Sequence, residues 1–236
     1  MLKIENTEVF GWEAAIRGMR NPMNSWDKSD SFICAEGSVT DEEIEKQCRE
    51  QCSFGELDCP IYDAKEHFII GKNDHDLMMR LAKGGSVHAK YRRMINVTCD
   101  ITSHHAWWAE FDTYKVGTVR NSCSKMHKIH VKEFDVDDFS IDGVEECGGR
   151  TVEVFLCVLN ELERLRRLFN ETHEKKYWRA IIELLPLGYN IKATVQMNYE
   201  VLFGMYRDRR NHKLDEWHTL CEWIERLPYS ELITGG

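Results

Sequence analysis

Residues 104–130 hold a dense group of side chains that can hydrogen-bond, titrate or stack, in the sequence HHAWWAEFDTYKVGTVRNSCSKMHKIH. Histidines beside tryptophans suit stacking on a planar ligand. The glycine, serine and asparagine residues that follow favour turns and expose backbone N–H groups, which can grip a ligand. The segment is therefore a candidate ligand site. A buried amphipathic helix followed by an ordinary connection is an equally good interpretation.

The first part of this segment, residues 104–115, fits a helix with two faces, because positions three and four apart lie on the same side. The apolar face consists of Trp107, Phe111 and Tyr114. The second face, which we expect to line a cavity, consists of His104, Trp108, Asp112 and Lys115. A hydrolytic pair of His104 or His105 with Asp112 is compatible with this spacing.

Cys123 lies between two serines of the turn-forming segment. It is a candidate nucleophile if Lys115, Arg120 or a helix amino terminus stabilises its thiolate, and a buried structural cysteine is the alternative. The chain contains no G-x-S-x-G elbow, P-loop, dinucleotide-binding glycine motif or H-E-x-x-H motif. A bound cofactor that carries the chemistry fits a chain without an obvious nucleophile.

The net charge of -9 and the pI near 5.6 argue against general binding of nucleic acid, which clustered lysines and arginines drive. No apolar run approaches the roughly 20 residues that span a bilayer. The amino terminus lacks a secretory signal, so we expect a cytoplasmic protein without membrane association.

Nine cysteines are an odd number in a chain without an export signal, and this favours reduced thiols over a disulfide framework. Cys34, Cys48, Cys52 and Cys59 lie fairly close together. Their spacing does not repeat the paired short knuckles of a structural zinc site, so we predict no metal.

The pattern along the chain predicts both helices and strands. Helices are expected over residues 8–20, 40–52 and 74–83, and a strand is expected over 66–71. Residues 91–102 fit either a strand or the start of a helix, and 132–150 is predicted to be a solvated insertion. Four further helices are expected over 152–169, 173–186, 193–210 and 214–227. The fold class is therefore α+β, with a sheet built largely from the amino-terminal half and covered by long carboxy-terminal helices.

The order of the sequence features resembles the flavin-dependent thymidylate synthases and their phage-borne relatives. These features are RGMRNPMNSW near the start, an aromatic-rich helix, an Asn/Ser turn, and a late helix that begins with asparagine. The resemblance implies one thymidylate-synthase-complementing-protein-like domain over residues 1–236, with a central mixed or antiparallel sheet, assembled as a homotetramer. It also implies FAD as cofactor, NADPH and methylenetetrahydrofolate as co-substrates, and one-carbon transfer to C5 of dUMP or a related pyrimidine nucleotide. An oligomer that has lost catalysis and binds a nucleotide or a protein is the alternative.

The family signature is an Arg-His-Arg cluster followed by spaced serine, asparagine and arginine residues. Asn121 and Ser124 match it, whereas the arginine positions hold other residues: Tyr114, Val116 and Met126. Lys115 and Arg120 keep positive charge nearby. The resemblance therefore implies cofactor contacts by Lys115, Asn121 and Ser124, and a substrate contact by Arg120.

The second matching segment is MNYEVLFGMYRDRRNHKLDEWH. By resemblance, Asn198 and His212 contact the cofactor and Arg209 contacts the substrate, while Glu200 stands where the family has an arginine. His88 lies where the family has a histidine that touches the flavin. These residues complete the predicted site.

Overall fold

The computed structural model describes residues 1–34 and 67–235. Its strands are β1 (Lys3–Phe10), β2 (Phe32–Cys34), β3 (His67–Ile69), β4 (Asn96–His104), β5 (Val119–Ser122) and β6 (Asn190–Asn198). Its helices are α1 (Trp12–Arg20), α2 (Lys72–Lys83), α3 (His105–Phe111), α4 (Lys125–Lys128), α5 (Asp142–Cys147), α6 (Gly149–Thr172), α7 (Lys175–Leu184), α8 (Tyr199–Arg209), α9 (Asp215–Glu225) and α10 (Glu231–Thr234).

The α+β fold class is confirmed. Four strands form one sheet in the order β1-β4-β6-β5. The short strands β2 and β3 pair antiparallel, with Phe32 opposite Ile69. The strand predicted over 66–71 and the helix predicted over 74–83 are therefore both found, close to their expected bounds.

Strand β6 overturns the first part of the helix predicted over 193–210. Its residues alternate between buried and exposed, as the two faces of a strand require. Ile191, Ala193, Val195 and Met197 are buried. The helix α8 begins only at Tyr199, where the asparagine before it caps the helix.

The described residues fall into two compact units. Unit 1 comprises Met1–Asn6, Cys99–Lys115 and Val119–Val195. Unit 2 comprises Thr7–Thr98, Val116–Thr118 and Gln196–Gly236. The prediction of a single domain stays a prediction.

The core of unit 1 forms where α6 and α7 pack together. Its buried residues include Phe155 and Leu162 of α6 and Ile181 of α7. Phe139 is also part of this core and is only 5% exposed. The segment 132–150 is therefore not wholly solvated, because an aromatic side chain from its middle packs into the core.

A buried ion pair holds the beginning of this same segment. The carboxylate of Glu163 accepts hydrogen bonds from both Nε and Nη2 of Arg166 at 2.7 Å. It also accepts one from the backbone N–H of Phe134 at 3.3 Å. The hydrogen bonds from Arg166 lower the pKa of Glu163 to about 2, so this anchor stays charged over the physiological range.

In unit 2, α1 starts later than predicted because residues 3–10 form β1. Gly11 makes the turn between them with φ at +98°, and an added Cβ would lie 2.1 Å from the carbonyl oxygen of Met94. Only glycine fits such a position. The turn places the buried Trp12 ring edge-on to the rings of Tyr199 and Tyr229.

A buried pair, Arg20 and Asp74, joins α1 to α2 in unit 2. Nε of Arg20 lies 2.6 Å from Oδ1 of Asp74, and their side chains are 4% and 0% exposed. The guanidinium also donates to the carbonyl oxygens of Ser25 and Lys28. The second carboxylate oxygen accepts from the hydroxyls of Ser29 and Ser31. Burial alone would raise the pKa of Asp74, but these serine and arginine donors outweigh it and lower that pKa.

The pair His75 and Glu231 predicts a pH-dependent contribution to stability in unit 2. Nε2 of His75 lies 2.8 Å from Oε1 of Glu231, and this hydrogen bond raises the pKa of His75 above 6.5. The contribution is therefore complete below about pH 6.5 and is lost as the pH rises through the raised pKa. Burial raises the pKa of Glu231, but the hydrogen bond from His75 outweighs it, so that pKa falls below 4.5. The contribution is thus also lost as the pH falls through that lowered pKa, so it is complete only between about pH 4.5 and pH 6.5.

Both side chains are partly exposed, so the effect of breaking the pair should be small. We expect the free energy of unfolding of Glu231→Gln to be lower than that of the native protein by at most about 1 kcal/mol near pH 5.5. The difference should shrink at alkaline pH. Urea unfolding at several pH values measures it, and a difference that grows with pH would contradict the assignment.

Some expectations concern residues outside the described ranges, namely the helix over 40–52 and the cysteines Cys48, Cys52 and Cys59. Within 1–34 and 67–235, no group of three His, Cys, Asp or Glu residues is arranged to hold a metal ion. No helix in those ranges is long and apolar enough to cross a membrane.

Candidate functional site

The aromatic helix α3 contributes to the core of unit 1 and does not line a cavity through Trp108. Trp107, Trp108 and Phe111 are all buried, with ring centroids 5.0–5.2 Å apart. The indole N–H of Trp108 donates to the carbonyl oxygen of Ile191 at 3.0 Å. The expected second face is therefore wrong at Trp108, because its indole finds a partner on β6.

Arg120, predicted to bind substrate, lies half-buried on the surface of that aromatic group. Its guanidinium carbon is 4.7 Å above the ring of Trp108. Its Nη1 lies 3.1 Å from Oδ1 of Asp112. Part of its charge is therefore neutralised within unit 1. The hydrolytic pair of His104 with Asp112 is not formed, because Asp112 pairs with Arg120 and Nδ1 of His104 caps α3 by accepting from the N–H of Trp107.

Three predicted cofactor residues of unit 1, Lys115, Asn121 and Ser124, are exposed. Within the part of the chain that the structure describes, neither Lys115 nor Asn121 makes a side-chain hydrogen bond, so both are free to meet a ligand. The hydroxyl of Ser124 caps α4 by accepting from the N–H of His127 at 3.3 Å. Cys123 is exposed as well, which corrects the alternative of a buried structural cysteine.

Lys125 and His105 form a contact that sequence reasoning missed. The ammonium of Lys125 is hydrogen-bonded to the His105 ring, which stacks on Tyr189 with centroids 6.4 Å apart. Burial lowers the pKa of Lys125, and burial raises the pKa of Tyr189 to about 12. The position of Lys125 directly after Ser124 could have marked it as a candidate site residue. Its contact with His105, 20 residues earlier in the chain, could not be read from a local pattern.

In unit 2, Asn198 has a structural task. Its Oδ1 accepts a hydrogen bond from the N–H of Val201 at 3.0 Å and so caps α8. Gly117, at φ +82°, packs against it, and an added Cβ there would lie 3.0 Å from Nδ2 of Asn198. The cap and this close approach fix the start of α8, and they leave the amide nitrogen as the group available to a ligand.

The remaining predicted residues of unit 2 differ in exposure. His88 is exposed, directly before the short 3-10 helix Ala89–Arg93. The Arg209 guanidinium lies 4.6 Å from the ring centroid of Trp217. Nδ1 of His212 accepts from the N–H of Leu214 at 3.1 Å. Arg209 and His212 thus both have contacts inside unit 2.

Unit 2 also contains a buried arginine, Arg92. It is 1% exposed, and its guanidinium lies 4.5 Å from the ring centroid of Phe203. Its Nη1 is 3.9 Å from Oε2 of Glu200, too long for a hydrogen bond. Its Nε and Nη2 have no hydrogen-bond partner within the described residues. Neither the burial of Arg92 nor its ion pair with Glu200 was visible in the sequence.

The eight predicted site residues divide equally between the two units. Unit 1 contains one amide, one hydroxyl and two positive charges of the predicted site: Lys115, Arg120, Asn121 and Ser124. Unit 2 holds the others: His88, Asn198, Arg209 and His212. Such donors are suited to anionic and planar ligands.

The solved structures that resemble this chain include two of flavin-dependent thymidylate synthase ThyX from Helicobacter pylori, both with FAD and dUMP. One is 15% identical, with a TM-score of 0.61, over 98% of this chain and 96% of that chain. The other is 14% identical, with a TM-score of 0.60 and the same coverage. No protein-family profile and no curated protein sequence match the chain. The resemblance drawn from the sequence is confirmed for the fold, which is that of the flavin-dependent thymidylate synthases.

Proposed function

We propose that this chain is a diverged, ThyX-like enzyme that binds a flavin and transfers a one-carbon unit to C5 of a pyrimidine deoxynucleotide, dUMP or a relative. The observation that carries the proposal is the fold, which extends over nearly the whole chain and matches proteins solved with FAD and dUMP. The proposal includes methylenetetrahydrofolate as donor, NADPH as reductant and a homotetramer of single-domain chains.

The exposed residues of unit 1 fit the chemistry of a flavin dinucleotide. Lys115 supplies a positive charge for its diphosphate, and Asn121 and Ser124 supply amide and hydroxyl groups for its polar edges. His88 and the free amide nitrogen of Asn198 are the corresponding groups of unit 2. The flavin, when bound, supplies hydride transfer, while the protein binds and orients the reactants.

The proposed phosphate contacts of the nucleotide are Arg120 and Arg209. Both guanidiniums lie over tryptophan rings, which hold the charge in place by a cation–π interaction. The nearby Asp112 weakens the attraction of Arg120 for an anion. We therefore expect weaker nucleotide binding than a cluster of unpaired arginines would give.

A second function, a nucleotide- or protein-binding oligomer without catalysis, is favoured by Glu200. This residue puts a carboxylate where the family resemblance expects an arginine, and it faces Arg92 at 3.9 Å. The two functions differ in one measurable property, because only the first requires turnover of a pyrimidine nucleotide.

Flavin uptake tests the first proposal. The purified protein should be yellow, or should become so with added FAD, and Asn121→Ala and Ser124→Ala should each weaken FAD retention about tenfold through loss of a polar contact. Asn160→Ala, an exposed asparagine of α6, is the matched control and should retain FAD normally. A colourless protein that takes up neither FAD nor FMN would refute flavin binding. FAD binding without product from dUMP, folate donor and NADPH would support the second function.

A further inference from the structure

Unit 1 contains a cavity of about 490 Å³ that none of the eight predicted site residues lines. Its walls come from α4 and the turn after it, the end of α6 and the start of α7. This volume lies within the roughly 300–1,000 Å³ of typical small-molecule pockets. The cavity is large enough for a fused pair of aromatic rings.

The polar groups of this cavity are basic. They are the side chains of His127, His130, His173 and Lys175, and the described lining contains no carboxylate. This composition is unusual in a chain with a net charge of -9. Nδ1 of His130 is buried and has no hydrogen-bond partner within the described residues. Such an unsatisfied group favours a ligand that supplies the missing partner.

The other walls are ring and thioether surfaces. Phe169 packs against the ring of His130 with centroids 4.9 Å apart. The indole N–H of Trp178 is occupied, because it donates to the carbonyl oxygen of Met126 at 3.1 Å. Trp178 therefore offers the cavity its apolar ring. The side chain of Met126 is 52% exposed and adds a polarisable surface.

We propose that this cavity binds a planar aromatic molecule that carries an anionic group. Phe169 and Trp178 hold the rings of this molecule by stacking and apolar contact. Lys175 and the imidazoles hold its anion by charge-assisted hydrogen bonds. Added salt screens charges, so it should weaken the attraction between the anion and the basic side chains and leave the apolar contacts with the rings unchanged. This inference does not depend on flavin binding.

A pair of fluorescent probes tests both parts of the inference on the full chain. Anilinonaphthalene sulfonate is the anionic probe, and N-phenylnaphthylamine is its uncharged counterpart. The double variant His173→Asn with Lys175→Gln should weaken binding of the sulfonate about tenfold or more, with little effect on the amine. Asparagine is chosen because His173 has a left-handed backbone, with φ at 56°, which asparagine tolerates. Trp178→Leu should weaken both probes.

The matched control is His218→Asn with Lys213→Gln, which removes one histidine and one lysine from unit 2 and should change neither affinity. Circular dichroism establishes that each variant is folded. Equal affinity of the double variant and the native protein for the sulfonate would overturn the inference, and so would equal weakening of both probes by that variant. FAD retention should be unaffected in the double variant. A native protein that binds the sulfonate in the cavity but no flavin would contradict only the proposed function.

Discussion

Asp74→Ala is expected to lower the free energy of unfolding by about 3–5 kcal/mol, since it leaves the buried guanidinium of Arg20 without its counter-charge. The same change removes the acceptor of two serine hydroxyls and of the backbone N–H groups of Asp30 and Ser31. Few positions in the described chain combine full burial of a charge with so many dependent hydrogen bonds. Urea unfolding at neutral pH measures the effect.

Three variants separate the ion pair from its surroundings. Asp76→Ala lies on the same helix but is exposed, and it should change stability by no more than about 0.5 kcal/mol. Asp74→Asn keeps an acceptor oxygen, so its free energy of unfolding should fall by less than that of Asp74→Ala. Replacing both partners, with Arg20→Met and Asp74→Leu, should recover part of the loss, because no unpaired charge stays buried. If Asp74→Ala behaved like Asp76→Ala, the buried pair would not stabilise unit 2.

The stabilisation by Asp74 also depends on pH in a defined direction. Its pKa in the folded protein is below the ordinary 3.8, so the contribution is present above about pH 3.8 and is lost as the pH falls through the lowered value. The difference between native protein and Asp74→Ala should therefore be constant near neutrality and should shrink in strong acid.

Glu200→Arg is expected to destabilise the protein by about 3–5 kcal/mol, although it restores the residue type that the family resemblance expects. The carboxylate of Glu200 lies 3.9 Å from Nη1 of Arg92, and their side chains are 18% and 2% exposed. A second guanidinium at this distance would replace attraction by repulsion in a poorly solvated position. The positive charge of Arg92 therefore favours a carboxylate over a guanidinium at position 200.

A double-mutant cycle tests this coupling. Arg92→Met in the Glu200→Arg background should recover most of the lost stability, because a single positive charge then remains. Glu200→Gln, which keeps the shape and removes the charge, should cost less than Glu200→Arg. Additive effects of Arg92→Met and Glu200→Arg in urea unfolding would show that the two side chains do not interact. If the stable double variant Arg92→Met with Glu200→Arg also binds dUMP more tightly than the native protein, then the absence of an arginine at position 200 limits nucleotide binding in the native protein.

Local patterns in the sequence predicted many of the elements but assigned most of β6 to a helix. The residues Asn190–Asn198 alternate apolar and polar side chains, which is the period of a strand, but the apolar residues of α8 follow without a break. The sequence pattern therefore predicts one helix over 193–210 where the structure has a strand and a helix. Asn198 marks the boundary between β6 and α8. Asparagine is a favoured N-cap residue, so its position indicates where the helix begins and hence where the strand ends.

Exposure and pairing of the site residues were less accessible from the sequence. Asn121 lies on β5 and Ser124 caps α4 three residues later, so only their closeness along the chain could be read from the sequence. The partners of Arg20 and Trp108 lie 54 and 83 residues away, so no local pattern could reveal them. The burial of Phe139 within the mostly exposed segment 132–150 was hidden for a related reason, since Phe139 finds its core partners on helices formed later in the chain.

The division of the chain into two units has a consequence for folding. Unit 1 draws on both the first six residues and the segment that ends at Val195, so most of the chain must leave the ribosome before its parts can meet. Contacts between segments so far apart close large loops, and such topologies fold slowly for their size. A newly made chain therefore holds apolar segments such as β4 exposed for a comparatively long time, and protection by chaperones is most valuable during that interval.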